Sequence, residues 1–455
     1  EPGQVAYYPV IDAIDEFRVE TNSYSAEYGR SNGGVIMVNQ KTGSNELHGA
    51  LFEFFRNERL NARNLFATSG PKPRFRRNQY GFVLGGPVRR NRTFFFGDWQ
   101  GARLNTGVVR ISTVPTTAQL GGVFASPIFD PASTNHSGRA YSRTPFPANT
   151  IPADRFDQAA LHLLPRYPPA NILSASGAGT IANNYRRLGN DGAAADQLDG
   201  RVVHYFSSTH RFFTRYSFML DDSTPTRPLP DGSGALASGV IGDTLTRADS
   251  LVAEHSWTVA PAAVNLLRFG FTRRRFERKS LRTGQSASQV SLVPNIPVTS
   301  FADVLPTFDV VGYQQLGPPA SANSRFSTSV TQLIDTFAWI NRRHSLKAGA
   351  DIRLENLDVL QPPSPSGNFR FTNVFTAGLT PAGAVVASTG NSFASLLLGQ
   401  TSRFSIDAQP ETLKPRASIA EFFLQDDWQA TRRLALSLGV RYTLNFPSTV
   451  AGDRA

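Results

Sequence analysis

The sequence predicts an all-β chain, an antiparallel transmembrane β-barrel, on three observations. Candidate strands come in pairs joined by tight connections, such as Pro87-Val88-Arg89-Arg90-Asn91, Ser207-Ser208-Thr209, Pro261-Ala262, Asn341-Arg342-Arg343 and Ala430-Thr431-Arg432-Arg433. Between the pairs lie long segments rich in Pro, Gly, Ser and Asn, at 104–196, 221–245, 279–324 and 358–417. The best strands alternate apolar and polar residues at period two, which puts the two sets on opposite faces of a sheet. Short turns at one rim and long loops at the other are the pattern of an outer-membrane barrel.

The elements follow in order. Ile14–Thr21 and Gly33–Lys41 read as two strands with a polar, turn-like stretch between them. Barrel strands are expected at 47–56, 79–86, 92–103, 197–206, 210–220, 246–259, 263–278, 325–341, 344–357, 418–429 and 434–446. In the last of these Leu434, Leu436, Leu438, Val440 and Tyr442 share one face, and Ala435, Ser437, Gly439 and Arg441 share the other. Leu346, Ala348, Ala350, Ile352 and Leu354 likewise oppose Lys347, Gly349, Asp351 and Arg353, and Phe212, Tyr216 and Phe218 oppose Arg211, Phe213, Arg215 and Ser217. A small, charged face suits a wet lumen, and a Leu/Phe face suits lipid. Alternation alone equally fits a soluble sheet with one face on a core. Strands near the roughly 9–11 residues of a spanning strand favour the barrel. Segment 391–398 reads as a short helix within a loop.

Composition narrows the classes. The chain has 455 residues, 40% hydrophobic and 18% charged, with no Cys, so disulfides and thiol chemistry are excluded. No apolar run reaches the length of a spanning helix. The net charge is +11 and comes from Arg; Lys occurs only at 41, 72, 279, 347 and 414. The arginines are spread along the chain and no nucleic-acid-binding motif accompanies them, so a nucleic-acid partner is not expected. Arginines at an outer rim can pair with lipid phosphates. The chain starts at Glu1 without a leader, and its last strand-like segment stops near Phe446, so a fragment is expected.

Particular residues then carry a resemblance. Ile14-Asp-Glu-Phe-Arg-Val-Glu-Thr21, Ala26-Glu-Tyr-Gly-Arg-Ser-Asn-Gly-Gly-Val-Ile-Met-Val38 and Lys41-Thr-Gly-Ser-Asn-Glu-Leu-His-Gly49 resemble the plug-to-barrel junction of TonB-dependent outer-membrane receptors of the Oar-like group. Phe52-Glu-Phe-Phe-Arg-Asn57, Gly85-Gly-Pro-Val88, Glu421-Phe-Phe-Leu-Gln-Asp-Asp-Trp428 and Leu438-Gly-Val-Arg-Tyr442 are similar to barrel strands of that group. The resemblance implies a plugged barrel of about 22 strands. Residues 1–46 are then the C-terminal part of the plug, and residues 47–455 the N-terminal half of the barrel with long extracellular loops. Tyr28, Gly29, Gly33, Gly34, Gly43 and Gly49 fall at the junction. Implied partners are the TonB-ExbB-ExbD complex, reached through a missing N-terminal segment, outer-membrane lipid or lipopolysaccharide, and a small ligand such as a siderophore, oligosaccharide or peptide.

Other motifs are weaker. Gly29-Arg-Ser31-Asn-Gly33 fits a hydrolase nucleophile pattern, but a strand signal follows where that site needs a helix. Gly177-Ala-Gly179 lacks the third glycine of a dinucleotide site. The seven histidines show no ligand spacing, and Asp191, Asp196 and Asp199 read as solvated turn residues rather than a calcium loop. No metal, cofactor or catalytic residue is expected, and the chain is not read as an enzyme. Trp99, Trp257, Trp339 and Trp428 fall near predicted strand ends, where an interfacial aromatic girdle sits. Candidate ligand contacts are Arg74, Arg76, Arg77 and Tyr80 at the first long loop, and lumen-facing Arg215, Arg353 and Arg441. The expected function is ligand capture and import at the cell outer membrane. A surface adhesion or assembly role on the same barrel, and a soluble all-β carbohydrate-binding protein, remain as alternatives.

Overall fold

The computed structural model describes residues 9–21, 24–29, 33–62, 72–138, 140–172, 181–236, 242–281, 283, 301, 303–407 and 411–450. In chain order the strands are β1 (Ile14–Glu20), β2 (Val35–Gln40), β3 (His48–Asn57), β4 (Phe75–Arg89), β5 (Thr93–Ser112), β6 (Asn135–Ser137), β7 (Ala140–Ser142), β8 (Tyr185–Tyr205), β9 (His210–Thr224) and β10 (Asp243–Ala260). They continue as β11 (Ala263–Lys279), β12 (Thr307–Val310), β13 (Ser324–Asn341), β14 (His344–Leu360), β15 (Ser364–Phe371), β16 (Arg403–Asp407), β17 (Pro415–Thr431), β18 (Leu434–Asn445) and β19 (Thr449–Val450). Among the described residues three short α-helices lie between strands: α1 (Thr117–Leu120), α2 (Gln158–Leu163) and α3 (Ser392–Leu397).

Eleven long strands form one meandering antiparallel sheet in the order β3-β4-β5-β8-β9-β10-β11-β13-β14-β17-β18, and β19 adds a short pairing to β17. The sheet does not close on itself; β3 and β18 are its edges among the described residues. Each expected strand is present, and several run further than alternation indicated. β5 and β8 reach 20 and 21 residues and stay paired from Thr93–His204 to Ser112–Tyr185. A spanning strand needs only about 9–11 residues. The surplus, at 104–112 and 185–196, runs up beside the head: Tyr185 and Ser112 are buried there, and Arg110 and Arg187 donate to the carbonyl oxygens of Thr226 and Arg227. Its surroundings are irregular chain rather than lipid and lumen, so it lacks alternation and reads as loop.

The two faces match the predicted phase. Leu251, Phe269, Leu333, Ile352, Leu354, Phe422, Leu424, Leu438 and Val440 lie exposed on the outer face. Asp98, Asp199, Ser217, Glu254, Thr336, Asp351 and Glu421 are buried on the inner face. A continuous apolar exterior of this extent is a lipid-contact surface, since a protein surrounded by water does not keep one.

The long segments, expected as long loops, pack against one another. Four of them, following β5, β9, β11 and β14, fold together into a head above one rim of the sheet. Val114, Ile128, Ile151, Leu163, Leu229, Phe308, Leu316, Phe393 and Leu397 form one dry core drawn from all four. β15 pairs parallel with β12 and antiparallel with β16, which joins the third segment to the fourth. α3 is the short helix expected at 391–398. Asn391 caps it by accepting from the main-chain N–H of Phe393 at 2.8 Å, and its Phe393 and Leu397 are wholly buried. Burying such side chains contributes about 1.5–3 kcal/mol each. The aspartates read as turn residues sit on β8 instead: Asp191 pairs with Arg110 at 2.9 Å and Asp196 with Arg103 at 2.9 Å.

Candidate functional site

The inner face of the sheet holds the N-terminal segment. β1 and β2 pair antiparallel as a separate two-stranded sheet, and Val10 and Ala13 pack on Val83 of β4 and Phe96 of β5. Two groups of wall side chains then grip the segment by main-chain and side-chain atoms. Arg201 of β8 donates to the carbonyl oxygen of Gln40 at 2.8 Å, and Arg215 of β9 donates to the Gln40 side-chain oxygen at 2.8 Å. Across the sheet, Arg441 of β18 donates to the carbonyl oxygens of Ala26 and Glu27 at 3.0 and 2.8 Å. Gln425 accepts from the main-chain N–H of Ala26 at 3.1 Å, and Lys347 pairs with the Glu27 carboxylate at 3.1 Å.

The geometry explains why arginine occupies these positions. Its planar fork can donate to several oxygens at once. Arg441 uses one side of the fork on the N-terminal segment and the other on Glu421 at 2.8 Å. Glu421 is 2% exposed and accepts a further bond from Thr443 at 2.9 Å. Asp351, paired with Arg353 at 3.3 Å, stands 3.9 Å from Arg441. A second acidic group lies under β8 and β9. Asp98 and Asp199 are cross-strand partners, both buried. Ser217 donates to Asp199 at 2.5 Å, whereas neither Asp98 oxygen finds a hydrogen-bond partner among the described residues.

A cavity of about 260 Å³ lies between Tyr28 and Gly29 of the N-terminal segment and the wall residues Arg268, Arg353, Phe423 and Arg441. Burial and the neighbouring carboxylates of Glu27 and Glu20 push the Tyr28 hydroxyl above its usual range, so it is neutral and can donate at physiological pH.

The predicted contact residues divide. Arg215, Arg353 and Arg441 face inward as read, but their guanidinium groups are engaged by the N-terminal segment or the wall. Arg74 is exposed just before β4, while Arg76, Arg77 and Tyr80 lie on β4 itself rather than in a loop. Alternation sends them to opposite faces. Arg77 points inward, donating to Gln79 at 3.1 Å, and Tyr80 points outward onto Trp99 at 5.6 Å. They are therefore not one patch. Gly43 lies against the backbone oxygens of Phe95 and Gly86, Gly29 lies against Arg441, Gly34 against the Glu20 carbonyl, and Gly49 on β3 against that of Val83. Gly33 has open space around it. Ser31 and the Gly177–Gly179 stretch lie outside the described residues.

The tryptophans also separate. Trp257, Trp339 and Trp428 lie within three residues of the short-turn ends of β10, β13 and β17. Trp428 stacks on His344 and Trp257 on His210. Trp99 is six residues into β5, and sits mid-strand because β5 runs nine residues beyond its predicted end. Sequence reasoning missed Gln40, Glu27 and Glu421 as functional neighbours. The one signal available was the inward phase of Glu421 beside Arg441.

Comparison with known proteins agrees with this architecture. The profile of the outer membrane beta barrel domain matches residues 39–455. A stretch of 92 residues is 29% identical to the TonB-dependent transporter Oar of Myxococcus xanthus, covering 19% of this chain and 9% of that protein. The outer membrane transporter YddB from Escherichia coli superposes with a TM-score of 0.50 at 10% identity, over 98% of this chain and 45% of that one. The ferric enterobactin receptor PfeA from Pseudomonas aeruginosa has a TM-score of 0.45 at 13% identity, over 96% of this chain and 45% of that one. The match thus covers less than half the length of each of these three proteins. An outer-membrane location replaces the soluble carbohydrate-binding alternative, whose dry core would have needed the leucine face that here lies exposed. On the match to its profile over all but the first 38 residues, the chain belongs to the outer membrane beta barrel domain family.

Proposed function

We propose that this chain is part of a TonB-dependent receptor that captures a small ligand at the long-loop rim and passes it through the barrel. The N-terminal segment acts as the end of a plug, and the long-loop rim faces outward. The observation that carries the reading is the segment's attachment. Among the described residues it is held on the inner face by hydrogen bonds and ion pairs to Arg201, Arg215, Lys347, Gln425 and Arg441, with Val10 and Ala13 in a small apolar contact. Such contacts can be exchanged for water when the segment is pulled, whereas a large dry interface resists separation. Arg215 and Arg441 serve plug retention, Arg353 pairs with Asp351 on the wall, and Arg77 is kept as an inward ligand contact. The ligand classes are siderophore, oligosaccharide and peptide, and the energising partner is the TonB-ExbB-ExbD complex.

The test is uptake of radiolabelled members of each class by cells expressing the full-length protein, with and without a protonophore. Energy-dependent uptake of one class supports the proposal. Equal accumulation in deletion cells for every class defeats it. A second reading is favoured by the folded head, whose shared core suits a rigid adhesive or assembly surface. Loss of cell–cell contact on deletion, with uptake intact, selects that reading.

A further inference from the structure

We infer that β16, an edge strand of the head, is a docking site for an extended peptide that adds to it as a further strand and carries an aromatic and an acidic residue side by side. β12, β15 and β16 form a three-stranded sheet, and β16 is one of its edges among the described residues. The outward N–H and C=O groups of such an edge are a template for another chain. The opposite edge is closed, because Phe308 of β12 exchanges main-chain hydrogen bonds with Leu316 at 2.9 and 3.2 Å. Two rows of side chains cross the sheet, and both stop unfinished at β16. On one face Phe308, Phe369 and Phe404 are successive cross-strand partners, with ring centroids 5.4 and 4.7 Å apart. Phe308 is 2% exposed in the head core, whereas Phe404 at the far end is 48% exposed. On the other face the row is Asp309, Arg370 and Arg403. Arg370 pairs with Asp309 at 3.1 Å. Arg403 is exposed, and its side chain has no ion pair or hydrogen bond among the described residues.

The unfinished rows specify the chemistry of the partner. Opposite Phe404 an aromatic ring extends the stack and covers apolar surface. Arg370 and Arg403 stand directly opposite each other as like charges, which is unfavourable. A carboxylate beyond Arg403 offsets that repulsion, as Asp309 does beyond Arg370. Residues 403 and 404 are neighbours, so the two requirements fall on adjacent residues of the incoming strand, whichever way it runs. Exposed Ile406 shares the face of Phe404 and matches an apolar residue two positions from the aromatic one. An edge that is merely solvated is blunted along its length by charge or proline. Here the charges stand at the ends, Arg403 and Asp407, and Phe404 and Ile406 lie open between them. The site goes beyond import: it rests on the head alone, and failure of ligand uptake leaves it untouched.

The experiment is fluorescence anisotropy of labelled peptides titrated with the purified full-length protein in detergent micelles. The probes are Thr-Val-Thr-Tyr-Glu-Thr, which meets the pattern when it runs antiparallel to β16, and the reverse, Thr-Glu-Tyr-Thr-Val-Thr, which meets it in parallel. The expected result is saturable binding of one probe. It weakens about tenfold when the probe's Tyr becomes Ser, and about fivefold when its Glu becomes Lys. Arg403→Glu is expected to reverse the charge preference, so that the Lys probe binds better than the Glu probe. N-methylation of alternate probe amides is expected to abolish binding in one phase and spare it in the other, since an added strand pairs along one edge only. The probe substitutions need no change in the protein, so they decide the matter even if Arg403→Glu does not fold. Absence of saturable binding by both probes overturns the site. So does a charge preference that a folded Arg403→Glu leaves unchanged, and so does equal loss from both methylation phases. Self-association of the parent that Arg403→Glu abolishes, read by analytical ultracentrifugation, gives the edge to a second copy of the chain and likewise overturns the peptide assignment.

Discussion

Arg441 of β18 donates to the main-chain oxygen of Glu27, 414 positions earlier in the chain, at 2.8 Å. The same guanidinium holds the buried Glu421 carboxylate at 2.8 Å. One side chain thus joins the sheet's last long strand to the segment lying on its inner face. Removing it has two consequences. The N-terminal segment loses two hydrogen bonds, and Glu421 is left charged and buried.

Arg441→Leu is therefore expected to destabilise the chain by about 3–5 kcal/mol, the usual cost of removing one partner of a buried pair. The double variant Glu421→Leu/Arg441→Leu is expected to recover most of the loss, because no orphaned carboxylate remains. Thermal melting followed by heat-modifiable gel migration measures both. A double variant no more stable than the single one rejects this account of the pair.

The strands of this barrel were legible because lipid outside and polar side chains inside impose period two on each of them. Leu434–Tyr442 states both faces without help from any neighbour. The partners of the inward arginines were not legible. Gln40 lies 175 positions from Arg215, and no local pattern links them. The head was the largest surprise. Ile128, Leu229, Phe308 and Leu397 come from four segments, each too irregular to show a period, and their shared core exists only after the strands bring those segments together. The exception was α3, whose Asn391 cap and Leu396-Leu397-Leu398 run are local signals.

That shared core makes the head a unit that fails as a unit. Phe393 is fully buried and meets Tyr167 and Tyr313 with ring centroids 5.9 and 5.4 Å away. Phe393→Ala is expected to cost about 3–5 kcal/mol of head stability. Limited proteolysis is expected to cut within 113–184 and 361–414 together, while the strands stay resistant and heat-modifiable. Cleavage confined to the segment carrying residue 393 would show that the four pack independently.

Acid acts on the head through Asp130. Arg155 grips its carboxylate with two bonds of 3.0 Å, and this hydrogen bonding, opposed by partial burial, holds its pKa below the usual carboxylate range. A depressed folded-state pKa means that the stabilisation is present above the unfolded value near 4 and is lost as pH falls through the lower folded one. The pair is partly solvent-exposed, so its worth is a few tenths of a kcal/mol. Asp130→Asn keeps the oxygen that accepts from Ala132 N–H at 2.9 Å and removes the charge. Its proteolysis resistance is expected to fall below the parent's at pH 7 and to converge with it as pH falls through the lowered folded-state value. A difference that persists unchanged into acid would assign the effect to lost shape rather than charge.

Two glycines of the N-terminal segment separate close packing from mere turn preference. A β-carbon on Gly43 would press on the backbone oxygens of Phe95 and Gly86, and neither can swing aside, because both belong to paired strands. Gly33 has nothing within 4 Å of that position. Gly43→Ala is expected to lift the segment from β4 and β5, loosening the Val10 and Ala13 contact and raising amide exchange in β1 and β2 by tenfold or more, a shift of about 1.4 kcal/mol. Gly33→Ala is expected to leave exchange unchanged. Hydrogen exchange read by mass spectrometry distinguishes them, and equal protection in the two variants would mean that the segment is held by its arginine contacts alone, without need of the close approach at Gly43.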